Sequence, residues 1–347
     1  MLKAYTSSLN LKSGHVDLSH GGGGRAMAQL IDDLFIKHFD NALLRQHNDQ
    51  ALFNVPAGRM VISTDGHVIS PLFFPGGDIG SLAVHGTVND VAMSGAKPLY
   101  LAAGFILEEG LPLADLERIV ISMAAAAKAC GTLIVTGDTK VVERGKGDGV
   151  FITTTGVGLV PDAVRISGDR AQAGHAILVS GTMGDHGVAI MAGRENLQFQ
   201  TSIVSDSAAL NGLVSDMVTA APADIHCLRD PTRGGLATAL NELAKQSGVG
   251  MLIDETCIPM KAEVKAACEI LGLDPLYVAN EGKLVCICSA HIAEQLLQVM
   301  RAHPLGRDAA IIGEVIDDPH GFVQMTTDFG GRRIVDWPVG EQLPRIC

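Results

Sequence analysis

The chain has 347 residues, and its composition already excludes several classes of protein. Lysine and arginine number 26 against 38 aspartates and glutamates, which gives a formal charge of −12. This acidic balance argues against a nucleic-acid-binding protein, which needs excess basic side chains to neutralise phosphates. Hydrophobic residues make up 47% of the chain and charged residues 18%, so the sequence can bury a large core and is not disordered.

The sequence carries no signal for a membrane or for export. No apolar run approaches the roughly 18 residues that a membrane-spanning helix needs. Residues 1–24 are polar and glycine-rich, unlike a secretory signal peptide. The seven cysteines show no disulfide-framework spacing, which favours a reducing, cytoplasmic compartment.

Strand-like and helical patterns alternate through the first half of the chain. A glycine-rich segment at 21–24 precedes an amphipathic helical pattern at 26–39. Branched residues bounded by glycine or aspartate predict strands at 60–64, 99–107, 132–136 and 150–159. Helical periodicity covers 79–93 and 113–130. The polar, turn-rich segment 160–174 is typical of a linker.

The second half repeats this mixture. Strands are predicted at 176–180, 284–288, 310–315 and 322–326, and helices at 207–219, 236–246 and 261–271. We therefore predict an α/β (α+β) protein with two domains, at 1–165 and 170–335. A flexible, extended tail follows at 336–347, where prolines and a glycine replace any regular pattern.

Three aspartates stand at the ends of apolar segments. They are Asp65, Asp90 and Asp138, and each lies close to glycine-containing sequence. Carboxylates of this kind suit Mg²⁺ bound together with substrate phosphates, and Lys140 could place a positive charge on a phosphate. A turn or helix-cap role is the alternative for any single aspartate. Asp90, however, falls within an apolar helical pattern, where an unpaired carboxylate is costly.

Two glycine-containing segments offer anion sites. Gly21 to Gly24, followed by Arg25, precedes a helical pattern, and its backbone N–H groups could wrap an anion. A flexible loop is the alternative there. In the second half, the stretch from Asp230 through Arg233 to Gly235 opens the helix at 236–246. It offers an anion site of the same kind, with a proline-fixed N-cap as the alternative.

Three further positions have weaker signals. Glu281 lies in an Asn-Glu-Gly turn, where a single glutamate is usually a surface charge. His186 lies in Gly-Asp-His-Gly, which predicts a turn and makes His186 a weak candidate for a polar role. Cys286 and Cys288 share one face of a predicted strand. They lack partners at metal-site spacing and are interpreted as core residues.

The chain ends in a cysteine, Cys347, within the sequence Pro-Arg-Ile-Cys. This is not a prenylation motif, which needs its cysteine four residues from the end. A thiol on a proline-stiffened tail is well placed to be carried between sites.

Together these motifs resemble the hydrogenase maturation carbamoyl dehydratase family, HypE, over nearly the whole chain. The resemblance rests on the glycine-rich loop and on segments 61–66, 89–98, 137–142, 230–235, 280–282 and 344–347. The internal motifs are shared with aminoimidazole ribonucleotide synthetase and selenophosphate synthetase. The terminal cysteine tail is specific to HypE.

The resemblance implies a two-domain fold in which the N-terminal domains of two chains form a central β-barrel, as a homodimer. It implies ATP-dependent dehydration of a carbamoyl group on Cys347 to a protein thiocyanate. A HypF-family carbamoyltransferase would load Cys347. The cyanide would pass to the iron of NiFe hydrogenase, held by a HypC–HypD type complex.

The resemblance also assigns roles within the site. Cys347 and Glu281 would be catalytic, with Glu281 as the base. The residues implied to bind ATP are Asp65, Asp90, Asp138, Lys140, Asp230 and Arg233, and the first three would also hold Mg²⁺. Two alternatives remain: a ligase or kinase of the same superfamily that acts on a free small molecule, and a non-catalytic partner that uses ATP as a conformational signal.

Overall fold

The computed structural model describes residues 9–48, 50–194, 203–338 and 346–347. Within them the chain forms two units, each a β-sheet covered by helices. Residues 161–175 connect the two units without forming a helix or a strand, as the turn-rich sequence predicts. Proline and arginine at 344 and 345 of the predicted tail lie outside the described residues.

The N-terminal unit is built on a four-stranded sheet. Its helices are α1 (Arg25–Leu30), α2 (Lys37–Phe39), α3 (Ile79–Met93) and α4 (Leu113–Ala129), with a π-helix (Ile31–Ile36) between α1 and α2. Its strands are β1 (Arg59–His67), β2 (Phe73–Phe74), β3 (Gly77–Asp78), β4 (Lys97–Glu108), β5 (Leu133–Val142) and β6 (Val150–Val160). The sheet order is β1-β6-β4-β5, so β1 and β5 are its opposite edges.

The C-terminal unit is built on a seven-stranded sheet. Its helices are α5 (Asp185–Arg194), α6 (Asn211–Ala220), α7 (Gly235–Ser247), α8 (Ala262–Leu271) and α9 (Ala293–Ala302). Its strands are β7 (Ala176–Val179), β8 (Ile225–Arg229), β9 (Gly250–Asp254), β10 (Val285–Cys288), β11 (Ala310–Ile316), β12 (Val323–Thr326) and β13 (Arg332–Ile334). The order is β13-β12-β9-β11-β7-β10-β8, and the pairing is antiparallel except between β9 and β12.

Helix α3 joins the two units. It begins at a capping box, in which the Asp78 side chain accepts from the N–H groups of Gly80 and Ser81 at 2.7 and 3.1 Å. Nearly all of its residues are buried, because the helix packs on β1, β6 and α4 and also contacts α6 and β8. A helix that is apolar on all sides belongs in a core. Asp90 therefore lies at the junction of the two units.

Several predicted elements are confirmed, and others are wrong. The helix predicted at 79–93 is α3, and the four strands of the first half are β1, β4, β5 and β6. The helix predicted at 26–39 is interrupted by the π-helix, whose wider turn lets the consecutive residues Leu34 and Phe35 both be buried. Helix α5 stands where a turn was predicted. Strands β8, β9 and β13 and helix α9 were not predicted at all.

The cysteines of the structure are all unpaired, and two of them test a prediction from the sequence. All seven cysteines lie among the described residues, and all are free. Cys286 and Cys288 are fully buried, as predicted. In the described part of the chain, no helix has both the length and the apolar character to cross a membrane.

Candidate active site

A cleft of about 610 Å³ lies at the junction of the two units. Strand β1 contributes Ser63 and Asp65, and helix α3 contributes Asp90. The loop between β8 and α7 contributes Asp230 and Arg233. The fold thus brings together four of the eight residues that the resemblance assigns to the site.

The loop at 230–235 is held in place by backbone contacts. Gly234 and Gly235 have φ values of 72° and 61°, in the left-handed region. A Cβ atom on Gly235 would lie 2.6 Å from the carbonyl oxygens of both Leu276 and Val278. The Pro231 carbonyl accepts from the backbone N–H and the side-chain amide of Asn280, at 3.1 and 3.0 Å. These contacts fix the loop beside the Asn-Glu-Gly turn.

The cleft carries an excess of negative charge. Burial raises the pKa of Asp230 to about 7, and the neighbouring Asp90 carboxylate adds to the rise. Burial also raises the pKa of Asp90, although the Ser63 hydroxyl donates to its Oδ2 at 2.7 Å. Mutual repulsion of this kind favours a bound cation or shared protons.

Asp65 differs from these two acids because it has basic neighbours. His67 Nε2 lies 3.2 Å from its Oδ2, and Arg233 Nη2 lies 3.2 Å from its Oδ1. Burial alone would raise the pKa of Asp65, but the hydrogen bond and charge of His67 and the charge of Arg233 together lower it. Asp65 is therefore ionised at neutral pH.

These carboxylates suit Mg²⁺ that is bound jointly by the protein and by the phosphates of a substrate. Mg²⁺ is typically held by one or two carboxylates together with water and substrate phosphates. Among the described residues, no three acidic, histidine or cysteine side chains converge into a complete metal site. Asp90 and Asp230 can supply carboxylate oxygens, and phosphates would supply the remainder.

Asp138 and Lys140 do not join this cleft within one chain. Both are exposed on β5, the sheet edge opposite β1. Three strand steps of about 4.8 Å separate the two edges by about 14 Å. The prediction that Asp138 shares a metal ion with Asp65 and Asp90 therefore stays a prediction, and a single chain does not assemble that set.

Strand β5 instead gathers a second group of the predicted residues. A Cβ atom on Gly21 would lie 2.7 Å from the backbone nitrogen of Val141, so the glycine-rich loop packs against β5 beside Lys140. A pocket of about 440 Å³ separates the helical segment 25–39 from β4 and β5, and Asp138 lies on its wall. The glycine-rich loop, Asp138 and Lys140 thus form one cluster.

Glu281 is buried beside the junction cleft. Its backbone N–H donates to Asp206 Oδ1 at 3.0 Å, and its carbonyl accepts from the Asn89 amide of α3 at 3.3 Å. Gly282 is needed in this turn, because a Cβ atom there would lie 1.8 Å from the Asp206 carbonyl oxygen. Oε1 of Glu281 has no hydrogen-bond partner among the described residues.

The environment of Glu281 favours its protonated form. Burial raises the pKa of Glu281 well above its ordinary value, and repulsion from Asp230, Asp206 and Asp65 adds to this, while Arg233 opposes it. A carboxyl group in such surroundings binds a proton strongly when one is released nearby.

The terminal cysteine docks next to this carboxyl group. Ile346 forms an antiparallel bridge with Ile69, and the Val68 N–H donates to the Cys347 carbonyl at 3.2 Å. Burial raises the pKa of the Cys347 thiol to about 12, with Glu281 adding to the rise and Arg233 opposing it. Cys347 is also the largest cause of the raised pKa of Arg233. The thiol, Glu281 and Arg233 are therefore neighbours in space.

Comparison with known proteins identifies the family of this chain. Residues 47–160 match the family described as AIR synthase related protein, N-terminal domain, and residues 172–326 match AIR synthase related protein, C-terminal domain. The carbamoyl dehydratase HypE of Cupriavidus necator is 68% identical over 344 residues, 99% of this chain and 98% of that protein. The chain belongs to the HypE family. The resemblance and the two-domain α/β fold are confirmed, and the dimeric central barrel stays a prediction.

Solved HypE structures agree with the whole fold. A crystal structure of the hydrogenase maturation protein HypE in complex with ATP is 53% identical, with a TM-score of 0.92, over 95% of this chain and 99% of that one. A crystal structure of a HypE–HypF complex contains a chain that is 51% identical, with a TM-score of 0.79. It covers 89% of this chain and 99% of that one.

Several residues of this HypE site were not predicted from the sequence. Ser63, His67 and Asp206 contact the predicted acids or Glu281, and Asn89 fixes the Glu281 turn. Asn89 had a usable signal, since a buried amide in an apolar helical pattern needs a partner just as Asp90 does. Ser63 and Asp206 had none, because their partners are distant in sequence, whereas His67 lies two residues from Asp65 on β1.

Proposed function

We propose that this chain uses ATP to dehydrate a carbamoyl group on Cys347 to a thiocyanate during NiFe-hydrogenase maturation. The observation that supports this most strongly is the docked Cys347 thiol beside buried Glu281 and Arg233, at the edge of an acidic cleft. The names of the HypE relatives and the ATP complex of a similar chain support the same reaction.

Loading of the thiol requires a carbamoyl donor. A HypF-family carbamoyltransferase transfers the carbamoyl group to sulfur, and the thiol proton is released. The solved HypE–HypF complex supports such a partner for this chain. A thiol pKa of about 12 makes the docked state a poor nucleophile, so loading belongs to an undocked state of the tail.

Dehydration then occurs with the tail docked. The carbamoyl oxygen is a poor leaving group, and transfer of the γ-phosphoryl group from ATP to that oxygen converts it into a good one. The C–O bond breaks, phosphate departs, and the carbon–nitrogen bond becomes triple as the nitrogen gives up both protons, one to a protein base and one to the departing phosphate. The carbon–sulfur bond is kept throughout, and the products are thiocyanate, ADP and phosphate.

Glu281, as the carboxylate, is the proposed acceptor for one of the two nitrogen protons, and the departing phosphate takes the other. Its unpartnered Oε1 and its neighbourhood of three aspartates favour proton uptake once the carboxylate is free. Arg233, which contacts the Cys347 thiol and Asp65, orients the loaded sulfur. These two residues are therefore assigned different roles: Glu281 receives a proton and Arg233 positions the group.

The nucleotide is assigned to the acidic cleft, where Asp65, Asp90 and Asp230 would hold Mg·ATP and Arg233 would face its phosphates. Asp138 and Lys140 of the β5 cluster are proposed to join this set from the second chain of a dimer, because one chain does not bring them to the cleft. Mg²⁺, when bound, supplies charge neutralisation for phosphoryl transfer, where catalysis is mostly positioning and electrostatics.

A homodimer is proposed to cover the outer face of the N-terminal sheet. Strand pairing aligns an apolar row across all four strands of that face: Ile62, Val157, Tyr100 and Leu133. Ile62 is 70% exposed and Leu133 is 43% exposed, which leaves apolar surface for a second chain to bury. Two such faces brought together would form the central barrel.

The partner that receives the cyanide and the cellular compartment are proposed from the resemblance to the same family. A HypC–HypD type complex would receive the cyanide on its iron. The free cysteines are in keeping with a reducing cytoplasm.

Phosphate release from a loaded chain tests the proposal. The chain would first be carbamoylated by its transferase and then purified and mixed with Mg·ATP. We expect phosphate in proportion to the loaded carbamoyl group, and almost none from unloaded chain or from Cys347→Ala. Equal phosphate release from Cys347→Ala in the presence of small-molecule acceptors would instead favour the superfamily kinase or ligase.

A further inference from the structure

The docked tail is held by a buried histidine that the proposed chemistry does not use. His186 Nε2 lies 2.5 Å from the carbonyl oxygen of Ile346, and His186 Nδ1 lies 2.7 Å from Ser205 Oγ. A carbonyl oxygen only accepts, so Nε2 carries a proton. In a neutral imidazole the other nitrogen accepts, and Ser205 is then its donor. The three groups form one directional chain of hydrogen bonds.

The surroundings of His186 favour the neutral imidazole with its proton on Nε2. The side chain is fully buried, and the Phe74 ring meets it edge-on with centroids 5.7 Å apart. Burial lowers the pKa of His186, although Asp206 and the Ile346 carbonyl oppose the change. The Ser207 N–H donates to Ser205 Oγ at 3.1 Å, which orients the hydroxyl towards the imidazole.

We propose that His186 is a positioning residue that holds the C-terminus in its inward, reactive state by binding the backbone carbonyl next to Cys347. This deepens the proposed function and rests on it for its consequence in catalysis. Because His186 contacts backbone, it holds the thiol whether Cys347 is free or carries a carbamoyl or cyano group. Ile346 is itself 6% exposed, so an unpaired carbonyl there would be costly.

The same short segment holds both the tail and Glu281. Ser205 donates to His186, while its neighbour Asp206 accepts from the Glu281 N–H and pairs with Lys283 at 3.3 Å. The Ser205 N–H donates in turn to the Pro75 carbonyl at 2.8 Å. Two consecutive residues, Ser205 and Asp206, thus connect the contact that holds the tail with the contact that holds the Glu281 turn.

The start of α5 provides a second connection between His186 and the Glu281 turn. Gly184 N–H donates to Asn280 Oδ1 at 2.7 Å, and Asn280 directly precedes Glu281. His186 follows Gly184 by two residues, on the first turn of α5. His186 is therefore held in position both by the contact of α5 with the Glu281 turn and by its own hydrogen bond to Ser205.

Alkylation of Cys347 by iodoacetamide tests the role of His186 without ATP or a carbamoyl donor. His186→Leu removes the donor, and we expect alkylation of Cys347 to become about tenfold faster, the factor that corresponds to one hydrogen bond. His186→Gln places an amide near the Nε2 position and should restore most of the protection. Exposed Cys257 in the same chain serves as the reference for reagent reactivity.

The outcomes separate this proposal from the proposed function. Unchanged Cys347 alkylation in folded His186→Leu, judged by an unaltered Cys257 rate and circular dichroism, would overturn it. If that variant fails to fold, Ser205→Ala decides the matter: faster alkylation by a few fold supports the proposal, and an unchanged rate overturns it. Protection by His186 in a chain that never forms thiocyanate would refute the proposed reaction and leave the His186 role intact.

Discussion

The Asp230 side chain gives the sharpest pH prediction at the scale of single residues. Its pKa is raised to about 7 by burial, with Asp90 and Asp65 adding to the rise, whereas an unfolded aspartate titrates near about 3.9. Between these values the folded chain holds a proton that the unfolded chain has released. The stability contributed by this group therefore falls as the pH rises through that window.

Asp230→Asn removes this penalty because it resembles the protonated form. We expect its Tm to exceed that of the wild type by about 5 °C at pH 8 and to differ little at pH 4. Thermal unfolding at the two pH values measures this difference. Mg·ATP affinity, measured by calorimetry, should fall in the same variant, because the variant lacks the charged carboxylate that would bind Mg²⁺. An equal Tm change at both pH values would show that the raised pKa is not the cause.

The sequence identified residues by chemical type but not by their neighbours. Cys347 and Asp90 stood out because a thiol at a chain end and a carboxylate in an apolar pattern are unusual, whereas Glu281 was assigned its role through the family resemblance. Asp206 did not stand out, and His186 was only a weak candidate for a polar role, since their significance comes from contacts with Glu281 and with the chain end. Asp138 stood out equally, yet its position on the far edge of the sheet could not be read from its local pattern.

At the scale of elements, the entry to α7 depends on a glycine that no other residue can replace. Gly235 has a φ of 61°, and a Cβ atom added to it would lie 2.6 Å from each of two carbonyl oxygens. Gly248, at the end of the same helix, has a similar φ of 67° but no atom within 4 Å. Alanine substitution at the two positions therefore distinguishes the cost of backbone strain, which both share, from the cost of steric contact, which only Gly235 has.

We expect Gly248→Ala to cost about 1 kcal/mol and Gly235→Ala about 3 kcal/mol of stability. Gly235→Ala should also weaken Mg·ATP binding, because the loop that presents Asp230 and Arg233 must move. Chemical denaturation and calorimetry measure the two effects. Equal losses from the two variants would contradict the close packing of the 230–235 loop.

Element prediction succeeded for the long helix α3 and failed for three short strands and for helices α5 and α9. Helix α3 has fifteen residues, twelve of them buried, between a capping aspartate and a serine, so both of its ends could be predicted. Strands β8, β9 and β13 have only three to five residues, and β13 is exposed throughout, which leaves little periodicity to detect. Helix α5 begins in a Gly-Asp-His-Gly sequence that otherwise favours a turn.

At the scale of the whole molecule, the outer face of the N-terminal sheet predicts self-association. Ile62→Asp places a charge in the apolar row, and we expect light scattering to show a shift from dimer to monomer at micromolar concentration. Phe329→Asp is the matched control, because Phe329 is 94% exposed in the C-terminal unit and away from this face. A wild-type chain that is monomeric, or an Ile62→Asp chain that stays dimeric, would contradict the proposed dimer.

The mass of the C-terminal peptide after reaction tests the central claim most directly. Carbamoyl donor and transferase should add one carbamoyl group to the peptide that contains Cys347, and Mg·ATP should then remove the elements of one water. Glu281→Gln should stop at the carbamoylated mass while still binding Mg·ATP, since Glu281 acts on the nitrogen protons and not on the nucleotide. A modified peptide elsewhere, for instance one containing Cys286 or Cys288, or an ATP-independent loss of water, would contradict the account.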